Sequence, residues 1–345
     1  MRARREISRA GRARPLALLG LSAGVALAAS CAAIQPDQPG PPWQSALGRE
    51  HPLAGRIWDA GAARFIGASD LVGRLLGARF VLLGEKHDNP DHHRLQAWAL
   101  RALIAAGRRP AVGFEMFTVD DAAAIARYRA GRPADAAGLG AAVGWDRSGW
   151  PPWPLYEPIA DAALEAGLPI AATNLSPPTT QAIARHGLVA LEPAVIARLR
   201  LDAPLSPQMR AEMAAEIEES HCHMLPEAML DNMVAAQRAR DAQIAERLAA
   251  AAQPNGALLI AGNGHVRKDR GVPAFLELQA PGAPAASLAF LEVQRDEVEP
   301  QAYAAYFGRG PFPVDYVWFT PRLDDTDPCE QYRVPLERLR RGGPN

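Results

Sequence analysis

VLLGEKHDNPDHH, residues 81 to 93, begins as an unbroken apolar run and ends in acids and imidazoles. The run shows no polar alternation, as expected of a parallel strand covered on both faces. Glu85, His87, Asp88, His92 and His93 follow within nine residues. Asn89 and Pro90 read as the N-cap and first position of a helix. The stretch is therefore the strand–turn–helix entry of an α/β unit, with a polar turn where such sheets bind ligands.

The same alternation continues outward. Further strands are predicted at AVGFEM (111 to 116), PIAATN (169 to 174), ALLIAGNGH (257 to 265), SLAFLEV (287 to 293) and DYVWFT (315 to 320). The helix after Asn89 runs to Gly107, with Leu95, Ala99, Ala102, Leu103 and Ala106 forming one apolar stripe. Two more helices are predicted from about Ser206 to Ser220 and from about Pro226 to Ala252. The fold class that follows is α/β, a mainly parallel central sheet flanked by helices with functional groups at the C-terminal strand ends. The expected division is an export segment over 1 to 31, a Pro-rich tether over 32 to 54, the α/β domain over 55 to 295, and an extension over 296 to 345 packed on the domain edge.

Composition narrows the function. With 37 Lys and Arg against 38 Asp and Glu, there is no basic footprint for nucleic acid. Cys31, Cys222 and Cys329 are too few for a disulfide framework, and they form neither a CxxC zinc pair nor a CxxCH haem attachment. Residues 1 to 14 carry six arginines and one acid, and the apolar PLALLGLSAGVALAAS follows, ending at Cys31. A basic start, a short apolar stretch and small residues describe an export signal. Cys31 directly after it reads as a lipidation site anchoring the protein in a membrane of the cell envelope. Ala32 behind it resembles the signal for the outer membrane of a diderm bacterium. The competing reading is ordinary signal cleavage near Ala28–Ala29–Ser30, with Cys31 incidental.

Four predicted strands end in functional groups: Glu85 and His87, Glu115, Asn174, and Asn263 with His265. If those strands are parallel neighbours, all six side chains share one sheet edge. Two carboxylates and two imidazoles suit a divalent transition metal with an activated water. They equally suit a metal-free network bracing a pocket mouth. SHCHMLPE, residues 220 to 227, offers His221, Cys222 and His223 either as a ligand loop or as a helix connection with Cys222 packed. GWDRSGWPPWPLYEPIADA, residues 144 to 162, reads either as an aromatic surface for a flat ligand or subunit, or as a packed loop over the sheet. Gln237, Arg240 and Asp241 share a helix, where a solvated face is the default.

GEKHDNPDHHRLQ, GFEMF, WPLYEPI, AATNLS, QRARDAQIAERL and AGNGHVRKDRGVP, in that order, resemble the ChaN family of haem-binding lipoproteins in the Tiki and erythromycin-esterase-like superfamily. The likeness spans roughly residues 70 to 295. It implies a haem-binding protein of haem and iron uptake, and a homodimer enclosing two stacked haems. It further implies ferric iron held by a tyrosinate, which places Tyr156 as ligand, with an assisting histidine among His221, His223 and His87. The wider superfamily implies the alternative, a metal-dependent hydrolase in which Glu85, His87, Glu115 and His265 hold the metal ion and its water.

Overall fold

Six strands carry the predicted apolar runs: β3 (Phe80–Glu85), β4 (Ala111–Thr118), β5 (Ile170–Asn174), β6 (Ala257–Gly262), β7 (Ala285–Glu292) and β8 (Tyr316–Thr320). These come from a computed structural model that describes residues 42–131, 135–308 and 310–331, with 333, 334 and 337. A short hairpin, β1 (Ile57–Asp59) and β2 (Arg64–Ile66), precedes them. The eight strands form one sheet in the order β2-β1-β8-β7-β3-β6-β4-β5. The segment from β8 to β5 is parallel throughout, and only the β1–β2 and β1–β8 pairs are antiparallel.

Successive side chains of a strand point to opposite faces, so each apolar run feeds two cores. Val81, Leu83, Val112, Phe114, Leu258 and Ile260 pack on one face against Leu95, Leu100, Leu103 and Ile159. Phe80, Leu82, Leu259, Ala261 and Leu291 pack on the other, against Ala245, Leu248, Phe275 and Leu276. The helix Pro90–Ala105 starts as its sequence requires, with the Asn89 side chain accepting from the Asp91 and His92 amides. Ser206 caps Pro207–Ser220 in the same way. The long helix Glu227–Ala251 lies across the second face.

Two expectations are corrected, and one pairing is added. Residues 42 to 54 are not a free tether: Trp43 and Leu53 are buried, and Asp91 accepts from the Gln44 and Ser45 amides. The segment after residue 296 is not only an extension on the domain edge, because β8 is hydrogen-bonded between β1 and β7 inside the sheet. Cys222 and Cys329, set aside at the sequence level, form a disulfide with a Cα–Cα distance of 5.6 Å. The export segment, Cys31 and residues 32 to 41 lie outside the described residues.

Candidate functional site: a carboxylate–imidazole cluster at the sheet's carboxyl edge

Strands β3, β6 and β4 are adjacent and parallel, so the residues that end them meet. Two buried carboxylates organise the meeting. Glu85, the last residue of β3, accepts from the Tyr156 hydroxyl at 2.9 Å and approaches His87 Nδ1 at 2.8 Å, both through Oε1. Its Oε2 lies 3.3 Å from His93 Nδ1. His93 is set by its place one turn into the helix Pro90–Ala105, and its Nε2 lies 2.9 Å from the His87 carbonyl oxygen.

Glu115 sits where the β4–β5 register is interrupted, between Phe114 and Thr118. Such an irregularity re-aims a side chain at a strand end. Its Oε1 receives Arg240 at 2.5 Å and lies 3.1 Å from His265 Nε2, and its Oε2 accepts from the Gly262 amide at 2.7 Å. His265 Nδ1 in turn lies 2.6 Å from Asp241 Oδ1. Asn174, ending β5, donates to the Glu115 carbonyl and approaches Arg240 Nε through Oδ1. Asn263 donates to the Phe290 carbonyl. His87 joins the two halves, its Nε2 lying 3.9 Å from Glu115 Oε2.

Burial alone would keep both carboxyls protonated. For Glu85, His93 and His87 outweigh that and hold the carboxyl well below its usual range. For Glu115, His265 and Arg240 do the same. Burial would also depress the imidazoles, but Glu115 and then Asp241 raise His265 to about 9. Glu115 and Glu85 raise His87 likewise. Burial lifts Asp241 above the ordinary carboxylate range. The cluster is thus a set of carboxylates and cations compensating one another out of water, the condition under which buried charges persist.

The structure brings together all four residues named for the hydrolase alternative, Glu85, His87, Glu115 and His265. Each carboxylate is already engaged by protein donors, and no group of three or more His, Cys, Asp or Glu among the described residues is arranged to hold a metal ion. Tyr156 is fully buried, between His93 at 4.3 Å and Trp145 at 5.1 Å between ring centroids. Burial, then Glu85, pushes its phenol far above its ordinary pKa, so the hydroxyl donates to Glu85 as a neutral group. To ligate iron, Tyr156 would have to lose that bond and that proton.

The aromatic segment divides. Trp145, Trp153 and Tyr156 pack inward, as a loop covering the sheet would. Trp150 stays half-buried, edge-on to the His87 ring at 4.9 Å. His87, one-third exposed, is therefore the cluster's outward group, beside an aromatic ring. His221 and His223 keep their bonds within their own turn, to Ile217, Ser220 and Glu218. Gln237, Arg240 and Asp241 are not a solvated face: Asp241 is buried, and all three reach the cluster. The signal in the sequence was their spacing, one helical turn flanked by Ala236, Ala239, Ala242 and Ala245, which mark the face turned to the sheet.

An α/β protein with a buried polar cluster at the carboxyl edge is the class that this geometry defines. Residues 71–276 match the family model described as "Haem-binding uptake, Tiki superfamily, ChaN", and the chain belongs to that family. Its fold is similar to that of ChaN of Campylobacter jejuni, solved with cofacial heme. The two are 22% identical, the match covers 76% of this chain and 95% of that one, and the TM-score is 0.60. Two other solved structures are more distant. The type III effector HopBA1 is 16% identical, with 73% of this chain and 91% of that one covered and a TM-score of 0.39. A mutant erythromycin esterase in its open conformation is 14% identical, with 77% and 82% covered and a TM-score of 0.36. No curated protein sequence matches the chain.

Proposed function

We propose that this protein binds haem as cargo in haem uptake, on the edge surface that carries His87 and Trp150. Membership of the haem-binding uptake family supports the ligand. The observation that carries the site is the His87–Glu85 bond at 2.8 Å beside the Trp150 ring. Glu85 is ionised, so His87 Nδ1 is the donor; to bind iron, Nε2 would have to give up its proton and turn from Glu115 Oε2, 3.9 Å away, a movement that its one-third-exposed ring allows. A carboxylate behind an imidazole also raises its basicity, which favours ferric iron. Tyr156 then acts from behind, donating to Glu85 and holding it for His87. Trp150 supplies a rigid apolar ring against the porphyrin plane.

The finer reading includes a homodimer with the haem surface at its interface, and export with a lipid on Cys31. The Cys222–Cys329 disulfide supports an oxidising location outside the cytosol. Incorporation of labelled palmitate, lost in Cys31→Ser, tests the anchor.

Haemin titration followed by absorbance and sizing chromatography tests the whole reading. Saturable binding with a shift from monomer to dimer is expected, together with loss of the spectrum in His87→Ala and its near-retention in Tyr156→Phe. If Tyr156→Phe removes a tyrosinate band while His87→Ala leaves it, Tyr156 is the ligand, as the family resemblance implies. Absence of saturable binding in the unaltered protein would overturn haem itself.

A further inference from the structure

A second opening lies on the same edge of the sheet, beyond Lys86. The connection from β3 to β4 runs over one face through Pro90–Ala105, and that from β6 to β7 runs over the other through Val272–Gln279. The neighbouring strands β3 and β6 thus send their chains to opposite faces and in opposite directions along the sheet. Such a switch point leaves a crevice beyond the strand ends, the usual ligand position in open α/β sheets.

A cavity of about 240 Å³ occupies this crevice. Asn263, Phe290 and Glu292 line it from the sheet, and Lys86, Tyr303 and Tyr306 from the surrounding segments. None of Glu85, His87, Glu115, Tyr156 or His265 lines it; of the strand-end groups described above only Asn263 does, so the cavity adjoins the cluster without sharing its carboxylates and imidazoles. Its volume is below the ~300–1,000 Å³ of drug-sized pockets, which restricts the occupant to a small molecule.

The lining selects the sign of the charge. The Lys86 ammonium already has two carboxylate partners, Asp88 at 3.2 Å and Glu292 at 3.4 Å. Glu297 adds a further carboxylate to the wall. His92 is the remaining titratable base there; its Nδ1 accepts from the Lys86 amide and its Nε2 reaches Thr320, as fits a neutral ring. Negative charge is therefore in excess, and Phe290, Tyr303 and Tyr306 give the wall an apolar, aromatic part beside it. We propose that this cavity binds a small organic cation, an amine or quaternary ammonium carried on an apolar body. Glu292 Oε2, approached by Lys86 alone, is the anionic contact, and the exposed Tyr306 is the outer wall.

Calorimetric titration with phenethylamine, protonated at neutral pH, tests this against neutral 2-phenylethanol and anionic 3-phenylpropionate. Saturable one-to-one binding of the amine is expected, with about tenfold or greater preference over the other two. Glu292→Gln should weaken it by about tenfold, and Tyr306→Ala, at an exposed position, by several-fold. Glu292 also receives Asn89 and the Leu323 amide, so Glu297→Gln is the companion variant if Glu292→Gln does not fold. Equal binding of the alcohol, preference for the acid, no saturation by any probe, or indifference to all these variants would overturn the proposal. Stoichiometric displacement of the amine by haemin would overturn the separation of the two sites.

Discussion

His265 Nδ1 and Asp241 Oδ1 lie 2.6 Å apart, tying the loop after β6 to the middle of the long helix Glu227–Ala251. Both side chains are buried, so neither can turn to water if the other is removed. Breaking a buried pair strands a charge, at about 3–5 kcal/mol. Asp241→Ala should lose about that much in urea unfolding, and Asp241→Asn less, because it retains a hydrogen-bonding group. A loss under about 1 kcal/mol in Asp241→Ala would show that the pair is not formed.

Stability should peak near neutral pH for two opposed reasons. His265 is raised from 6.5 to about 9, so its contribution is complete below pH 6.5 and is lost as pH rises through 9. The span corresponds to on the order of 3 kcal/mol. His92 is lowered from 6.5 to about 3 by burial, then by His93, so stability is lost as pH falls from 6.5 toward 3. Unfolding free energies across this range, measured also in His265→Gln, check the assignment. That variant should lose most of the alkaline decline, with the part due to the raised His87 remaining, and keep the acid one.

Gly262 lies under His87, and a Cβ there would stand 2.9 Å from His87 Nε2. The imidazole is one-third exposed and can swing away, so Gly262→Ala should fold. Its haemin spectrum should change all the same, because the ring is displaced from Glu85. Gly84 is different: a Cβ would meet Asn263 Oδ1 at 2.4 Å and Val266 Cγ2 at 2.6 Å, within the packed interior. Gly84→Ala should cost about 1–3 kcal/mol, read from its urea midpoint.

The Cys222–Cys329 disulfide joins positions 107 residues apart. Chain-entropy arguments place its contribution at up to about 4–5 kcal/mol. Dithiothreitol should lower the urea midpoint of the unaltered protein, with two additional thiols titrating. The double variant Cys222→Ser with Cys329→Ser should unfold at the lower midpoint with or without reductant.

Much of this architecture was legible because it rests on local chemistry. The runs that became β3, β4, β5, β6, β7 and β8 are apolar on both faces, a pattern that solvent-facing strands do not carry. Asn89, Pro90 and Ser206 announce their helices through the hydrogen bonds that a helix start requires. The hairpin Ile57–Asp59 and Arg64–Ile66 was not legible: strands of three residues are too short to show a period.

The site was legible in part. Glu85, His87, Glu115 and His265 stood out because each follows an apolar run, where a charged group has few reasons to be. Asp241, Arg240 and His93 were hidden because a charged residue on a helix normally faces water. Tyr156 was visible as a residue, but not as the buried donor to Glu85.

The sequence by itself determined the parallel α/β class, the strand ends that carry polar groups, and the family. Those follow from patterns within a few residues and from ordered motifs along the chain. Tertiary structure decided which carboxylate oxygen meets which imidazole, that Cys222 meets Cys329, and that β8 enters the sheet. It also decided that the connections after β3 and β6 leave over opposite faces, with a cavity beside them. Such pairings join residues tens to hundreds of positions apart, and packing selects them only once the sheet order is set.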